Sequence, residues 1–289
     1  MTDRALCVVR SGALTTVQDL GRPGFAHLGV PRSGALDGPA AALANRLVGN
    51  APRAAVLETT VDGCALRPRS TVVVAVVGAP CPVTVDGRPA AWGGPVTVPA
   101  GALLDVGTAA SGLRSYVAVS GGITVEQVLG SRSTDLLSGL GPPPLAHGAV
   151  LPLGRPTHPH TRVDVAPQPA PPAELVLRVT PGPRDDWFTR EAVRTFASRA
   201  YRVSPASNRI GLRTEGPVLE RAVPGELPSE GMVVGAVQVP PDGRPVVFLA
   251  DHPTTGGYPV IAVVRAGDLP AAAQAVPGTP VRFVAVRRR

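Results

Sequence analysis

Residues 71–106 read TVVVAVVGAPCPVTVDGRPAAWGGPVTVPAGALLDV. Short valine-rich runs, Thr71–Val77, Pro82–Val85, Pro95–Val98 and Leu103–Val106, are bounded by Gly, Pro or Asp. β-Branched residues fit a pleated, half-buried surface, and Gly and Pro punctuate it. Asp86-Gly87, between Val83–Val85 and Arg88, is a dipeptide suited to the positive φ angles of a two-residue hairpin turn. Ser115–Val119 continues the texture. The stretch predicts an antiparallel β meander, closed or nearly closed to hide its edges. Helices are few. Asp37–Leu47 opens on an N-cap aspartate with Pro39 in its first turn. Asp185–Tyr201 begins acidic and puts Phe188, Ala192, Val193 and Phe196 on one face. A short third helix is expected over Ala266–Ala275.

The same strand texture resumes at Leu175–Val179, Val233–Val239, Pro245–Ala250, Val260–Val264 and Val281–Val286. Between the two sets lies RPTHPHTRVDVAPQPAPP (Arg155–Pro172), proline-rich and poor in large apolar groups, the composition of a linker or surface crossing. The expected organisation is an N-terminal β-barrel unit over residues 1–155, a Pro-rich linker over 156–173 and a C-terminal β-barrel unit over 174–289. The halves look duplicated in texture, without a strict repeat.

Composition removes several function classes. The 28 basic residues are all arginine. Without lysine the chain cannot carry biotin or lipoyl, form a lysine Schiff base or use a Walker lysine. The net charge of +7 is dispersed and only 3% of residues are aromatic, so single-stranded nucleic acid would find few stacking platforms. No apolar run is long enough for a membrane span, and the N-terminus MTDRALCVVR lacks the apolar region of a secretory signal. Cys7, Cys64 and Cys81 are scattered and lack CxxC spacing, which fits a reducing cytoplasm better than a disulfide framework or zinc site.

Four polar loops remain as candidate chemistry. The first, Thr15–Asp37, packs Gln18, Asp19, Arg22, His27, Arg32, Ser33 and Asp37 among glycines and prolines. The second runs from Ser120 to Asp135 and includes Ser131, Arg132, Ser133 and Thr134. The third, SPASNRIG (Ser204–Gly211), contains Asn208 and Arg209. The fourth, DHPTTGGY (Asp251–Tyr258), follows an apolar strand and offers Thr254, Thr255, Gly256 and Gly257 as possible anion or oxyanion donors. Asp251 sits at a strand end, where a general base or orienting carboxylate would be placed. Gln238, in an alternating strand, is expected to face solvent. Each loop could equally be a capped turn.

The stretches LTTVQDLGRPGFAHLGVPRSGALD (Leu14–Asp37), LGSRSTD (Leu129–Asp135), SPASNRIGLRTEGP (Ser204–Pro217) and SEGMVVGAVQVPPDGRPVVFLADHPTTGGYPVIA (Ser229–Ala262) resemble the biotin-dependent carboxyltransferase family. Its members include the C subunit of bacterial 5-oxoprolinase, the Kip-type antagonist and part of urea carboxylase. The resemblance covers essentially the whole chain in order. It implies a mainly β fold of two cyclophilin-like β-barrel units with a few short helices. It implies a component of a cytoplasmic complex that uses ATP to cleave 5-oxoproline to glutamate. The 5-oxoprolinase B subunit would be its direct partner and the A subunit its further one. A small-molecule substrate is implied, and no nucleic acid or membrane. No covalently bound cofactor or metal is expected. Biotin enters only in the alternative, a transferase moving carboxyl from carboxybiotin to a urea- or amide-like substrate. A non-enzymatic regulator that grips the B subunit is a third reading. The chain's length, with neither biotin carboxylase nor carrier segment, is expected of a free-standing subunit. Candidate catalytic residues are Asp19 and Asp251. Candidate substrate-binding residues are Gln18, Arg22, Ser33, Asp37, Arg132, Asn208, Arg209 and Thr254–Tyr258. Many family members have aspartate in place of Asn208 and lysine in place of Val260, so this chain lacks a carboxylate and a cation that relatives carry.

Overall fold

The run VVVAVV at residues 72–77 is apolar without a break because both faces of its strand are covered. In a computed structural model of the chain, which describes residues 4–225 and 227–286, Val74 and Val76 join one buried cluster while Ala75 and Val77 join another. Successive side chains of a strand point to opposite faces, so two packed faces demand an uninterrupted apolar run. The chain is mainly β and divides into two compact units. The first comprises the chain up to Arg22, Ser33–Asp135 and Gly139–Pro171. The second comprises Pro23–Arg32, Leu136–Ser138 and the chain from Pro172 onward.

The first unit contains two sheets around a shared core. One runs in the order Val150–Pro152, Ala5–Arg10, Cys64–Pro68, Leu104–Val106, Val83–Val85, Arg88–Pro89. The other runs Leu14–Gln18, Val56–Thr60, Arg114–Val119, Val72–Gly78, Pro95–Val98. Leu6, Leu66 and Leu104 from the first sheet meet Val17, Leu57, Val74 and Val117 from the second in one buried cluster. Successive strands of the expected meander are therefore divided between sheets: Val72–Gly78 pairs with Pro95–Val98, whereas Val83–Val85 pairs with Arg88–Pro89 and Leu104–Val106. The Asp86-Gly87 turn forms as read, with φ of 48° and 76° closing a Val85–Arg88 pair. Helix α1 (Gly38–Leu47) covers the outer face of the second sheet, laying Ala41, Ala44 and Leu47 on Ala75, Val77, Tyr116 and Ala118. Asp37 caps α1 by accepting from the Ala40 amide at 3.0 Å.

Of the expected linker, residues 156–171 belong to this unit and cross its surface, and 172–173 belong to the second. The Thr161 amide donates to Leu47 O at 3.0 Å, the Ala166 amide donates to Gly93 O, and Gln168 Oε1 accepts from the Gly78 amide at 2.7 Å. Proline-rich sequence cannot join a ladder fully, and here side-chain and single backbone bonds replace one.

The second unit closes a seven-stranded barrel in the order Leu175–Pro181, Val260–Val264, Ala236–Gln238, Val246–Phe248, Gly211–Glu215, Tyr201–Val203, Pro280–Ala285. The circuit is completed by parallel pairing of the last strand with the first. Leu175, Leu177 and Val179 are buried while Val176 between them is exposed. Helix α2 (Arg190–Ser198) is shorter than expected. Asp185–Trp187 form a separate 3₁₀ turn, Phe188 is extended and buried, and Thr189 caps α2 by accepting from Ala192 N. Burying Phe188 thus takes precedence over continuing the helix through it. Phe196 of α2 stacks on Phe283 with centroids 4.4 Å apart. Helix α3 (Leu269–Gln274) follows a 3₁₀ turn at Ala266–Asp268. The expected strand Val233–Val239 shortens to Ala236–Gln238, leaving Val233 and Val234 in a loop.

Candidate functional site

The polar residues of Gln18–Arg22 and Ser33–Asp37 belong to the first unit, together with Arg132. Asp19 organises two loops. Its Oδ1 accepts from the Gly21 amide at 2.7 Å and from the Ser131 and Ser133 hydroxyls at 2.6 Å each, and its Oδ2 accepts from the Arg132 amide at 2.7 Å. Arg22 is 1% exposed; it donates to Val128 O and Ser133 O and lies 4.0 Å from Asp135. Gln18 is also buried, its Nε2 donating to Thr134 O and Thr16 Oγ1. Ser33 adopts a left-handed φ of 54° and donates its hydroxyl to the same Thr134 O. Gly34, at φ 101°, brings the returning chain so close that a Cβ would lie 2.9 Å from Gly21 N. The Asp37 amide donates to Tyr116 Oη, which donates to Glu58 Oε2; burial beside that carboxylate pushes the phenol well above its usual range. Arg132 Nε donates to Val125 O. Four of the six named residues are thus occupied by hydrogen bonds that build the loops, Asp37 caps a helix, and Arg132 splits its backbone and side chain between Asp19 and Val125.

The second unit holds the remaining candidates. Arg209 and Asp251 form a two-pronged pair, Nε to Oδ2 at 2.9 Å and Nη2 to Oδ1 at 3.0 Å, with both side chains almost wholly buried. The Leu136 amide adds a third donor to Asp251 Oδ2 at 3.2 Å, and the Asp251 amide donates back to Arg209 O. Both oxygens of this carboxylate are thus engaged and the group is sealed from water, an arrangement that ties together the loops carrying Leu136, Arg209 and Asp251. Asn208 turns the third loop, its Oδ1 accepting from the Ile210 and Gly211 amides.

In the fourth loop Thr255–Gly256 forms a short ladder with Glu230–Gly231. Gly256 permits close packing, because a Cβ there would stand 2.7 Å from Gln238 Nε2. Gln238, expected to face solvent, is buried and donates to Tyr258 O at 3.1 Å. Its amide substitutes for ladder bonds the loop cannot make. Arg184 clamps Glu230 and holds that carboxyl below its usual range. Arg221 sits over the half-exposed Tyr258 ring, 5.9 Å from its centroid.

Beside this loop is a pocket of about 390 Å³. Its walls are mostly apolar: Val30 and Pro31 from the opening stretch, Met232 and Val234 from the loop before Ala236–Gln238, and Leu269 at the start of α3. Arg32, His252 and Thr254 supply its polar groups. His252 is buried, stacks on Phe248 and lies 2.7 Å from Pro253 O through Nδ1. A carbonyl only accepts, so Nδ1 carries the proton. A small apolar cavity with few convergent polar groups is the usual anatomy of a ligand site. Of the binding residues expected from the sequence, Thr254 lines it. Arg32, named in the first candidate loop, and His252, inside DHPTTGGY, also line it without having been assigned to binding. The available signal was their position, Arg32 inside GVPRSG and His252 next to Asp251.

A second groove, of about 540 Å³, is lined by Ser204, Arg213, Glu215, Asp242 and Arg244. Arg244 lies 3.8 Å from Asp242 and the Ser204 hydroxyl donates to Glu215, while the Arg213 guanidinium makes no hydrogen bond or ion pair among the described residues. Among the described residues no group of three or more His, Cys, Asp or Glu could hold a metal ion, and no helix is long and apolar enough to cross a membrane. Burial pushes the Cys64 thiol up to about 12 and raises that of Cys81, leaving both poor nucleophiles.

Residues 28–285 match the family described as carboxyltransferase domain, subdomain A and B. The chain is 38% identical to the C subunit of 5-oxoprolinase from Escherichia coli (strain K12) across 96% of its own length and 90% of the relative's. It is 34% identical to urea amidolyase of Lachancea kluyveri across 96% of its length, but only 17% of that protein. Among solved structures, TTHA0988 superposes with a TM-score of 0.88 at 39% identity, covering 98% of this chain and 56% of the other. The K. lactis urea amidolyase superposes with a TM-score of 0.90 at 32% identity, covering 98% and 19%. This chain therefore spans about half of the first structure and under a fifth of the second. Match and superposition agree along nearly its whole length, and the chain belongs to the carboxyltransferase subdomain A and B family.

Proposed function

We propose that the chain is the C subunit of an ATP-dependent 5-oxoprolinase, opening the lactam of 5-oxoproline to glutamate in a cytoplasmic complex with the A and B subunits. Coverage carries this reading. The similarity extends over 90% of the E. coli 5-oxoprolinase C subunit but only 17% of a urea amidolyase. In this reading the B subunit is the direct partner, and the ATP is used by the complex. Opening a lactam requires a held substrate carboxylate and a polarised ring carbonyl. Arg32 suits the first task, since guanidinium groups bind carboxylates through paired donors. The Thr254 hydroxyl is suited to hydrogen bonding the ring amide, with His252 in the wall beside it. Asp251 acts as a positioning residue through Arg209, and Asp19 holds the first loop for contacts made by others. The test is reconstitution: the chain plus its A and B partners, supplied with 5-oxoproline and ATP, should release glutamate. A full complex that releases none sinks the reading.

The TM-score of 0.90 with K. lactis urea amidolyase favours a second reading, carboxyl transfer to a urea- or amide-like substrate. The sequence contains no lysine, so biotin would arrive on another chain. Carboxylated product formed with a separate biotin carrier, and no glutamate from 5-oxoproline, would favour this alternative.

A further inference from the structure

We propose that the pocket at Arg32 binds a small monocarboxylate with a compact apolar body, the carboxylate resting on the Arg32 guanidinium. The inference deepens the 5-oxoprolinase reading, on which it rests for the role of Arg32 and the choice of probe, by naming the ligand class the lining selects. Several arginines of the second unit are committed: Arg178 to Asp268, Arg184 to Glu230, Arg209 to Asp251 and Arg282 to Glu174. The exposed Arg32 side chain makes no hydrogen bond or ion pair among the described residues. It stands at an apolar wall with its donors open to solvent or to a ligand.

The lining selects the ligand. Among the described residues no carboxylate lines the pocket, so a cation finds no counter-charge. Arg32 is the only arginine among those lining residues, so a polyphosphate or dianion is poorly neutralised while a single carboxylate is matched. The volume of about 390 Å³ lies near the lower end of ligand pockets. Val30, Met232 and Leu269 suit a ring or short chain, and the Thr254 hydroxyl can pair with one amide or carbonyl.

The experiment is calorimetric titration of the full chain with 5-oxoproline, cyclopentanecarboxylate and 2-pyrrolidinone. Both carboxylates should bind saturably, and 2-pyrrolidinone, lacking the charge, at least about tenfold more weakly. Arg32→Gln should erase that difference. Ala266→Trp, at an exposed lining position, should fill the pocket and remove all binding, with urea unfolding confirming that both variants fold. Absence of carboxylate binding to the wild-type chain, or binding unchanged in both folded variants, overturns the proposal. Activity of the complex separates the two readings. Carboxylate binding unchanged in both variants, with glutamate still released by the wild-type complex, removes the pocket and keeps the 5-oxoprolinase assignment. Carboxylate binding lost in both variants, with no glutamate released by the wild-type complex, keeps the pocket and removes the assignment.

Discussion

Two regions of Thr15–Asp37 use similar residues for opposite ends. Gln18–Arg22 and Ser33–Asp37 are largely buried in the first unit, their polar groups answered by Ser131, Ser133, Thr134 and Tyr116. Pro23–Arg32 belongs to the second unit, is largely exposed, and presents Arg32 to a pocket. The difference teaches that polar density in a glycine-rich stretch can serve the fold: the same segment spends one set of polar groups on internal hydrogen bonds and leaves another at a pocket wall.

The largest expected effect concerns the buried pair. Arg209→Met strands the Asp251 carboxylate and should cost about 3–5 kcal/mol in urea unfolding. A loss under about 1 kcal/mol would mean that the pair does not anchor the second unit's loops. Asp19→Ala removes one acceptor from four donors and should cost about 2–3 kcal/mol. If it instead abolishes activity at unchanged stability, the scaffold role assigned to Gln18–Arg22 is wrong. Gly34→Ala forces a Cβ to within 2.9 Å of Gly21 N at a φ of 101°, and should cost about 1–3 kcal/mol. Acid should act more gently. Arg178 hydrogen bonds hold Asp268 below its usual range, as Arg184 does for Glu230. A carboxyl whose folded pKa is depressed contributes stability above its unfolded value, near about 4, and loses it as pH falls through the folded one. Urea midpoints should therefore drop as pH falls below about 4, with a shallower slope in Asp268→Asn. The smallest stability effect belongs to Arg32→Gln, within about 0.5 kcal/mol of wild type.

The strand texture was legible in the sequence because period and punctuation are local. Asp86-Gly87 and the Asp37 cap formed where read. Assignment of strands to sheets was not legible: Val72–Gly78 and Val83–Val85 have similar composition yet lie in different sheets, a consequence of long-range pairing. Phe188 broke a helical pattern because its burial outweighed propensity. The site was legible as loops, not as roles. The sequence position of Asp251 says nothing of Arg209, which lies 42 positions earlier and engages both its oxygens. Gln238 looked solvent-facing because its partner, Tyr258 O, belongs to a loop with no strand pattern of its own. Arg32 was legible as a polar member of the first loop but not as a binding residue, since lacking a partner is a property of the folded chain.

The most direct measurement joins stability to function in one variant. Arg32→Gln, assembled with the A and B subunits, should keep its urea midpoint and lose about tenfold or more in kcat/KM for 5-oxoproline. An unchanged kcat/KM at an unchanged midpoint would contradict the proposed role, because the unanswered cation at the pocket would then have no part in handling substrate.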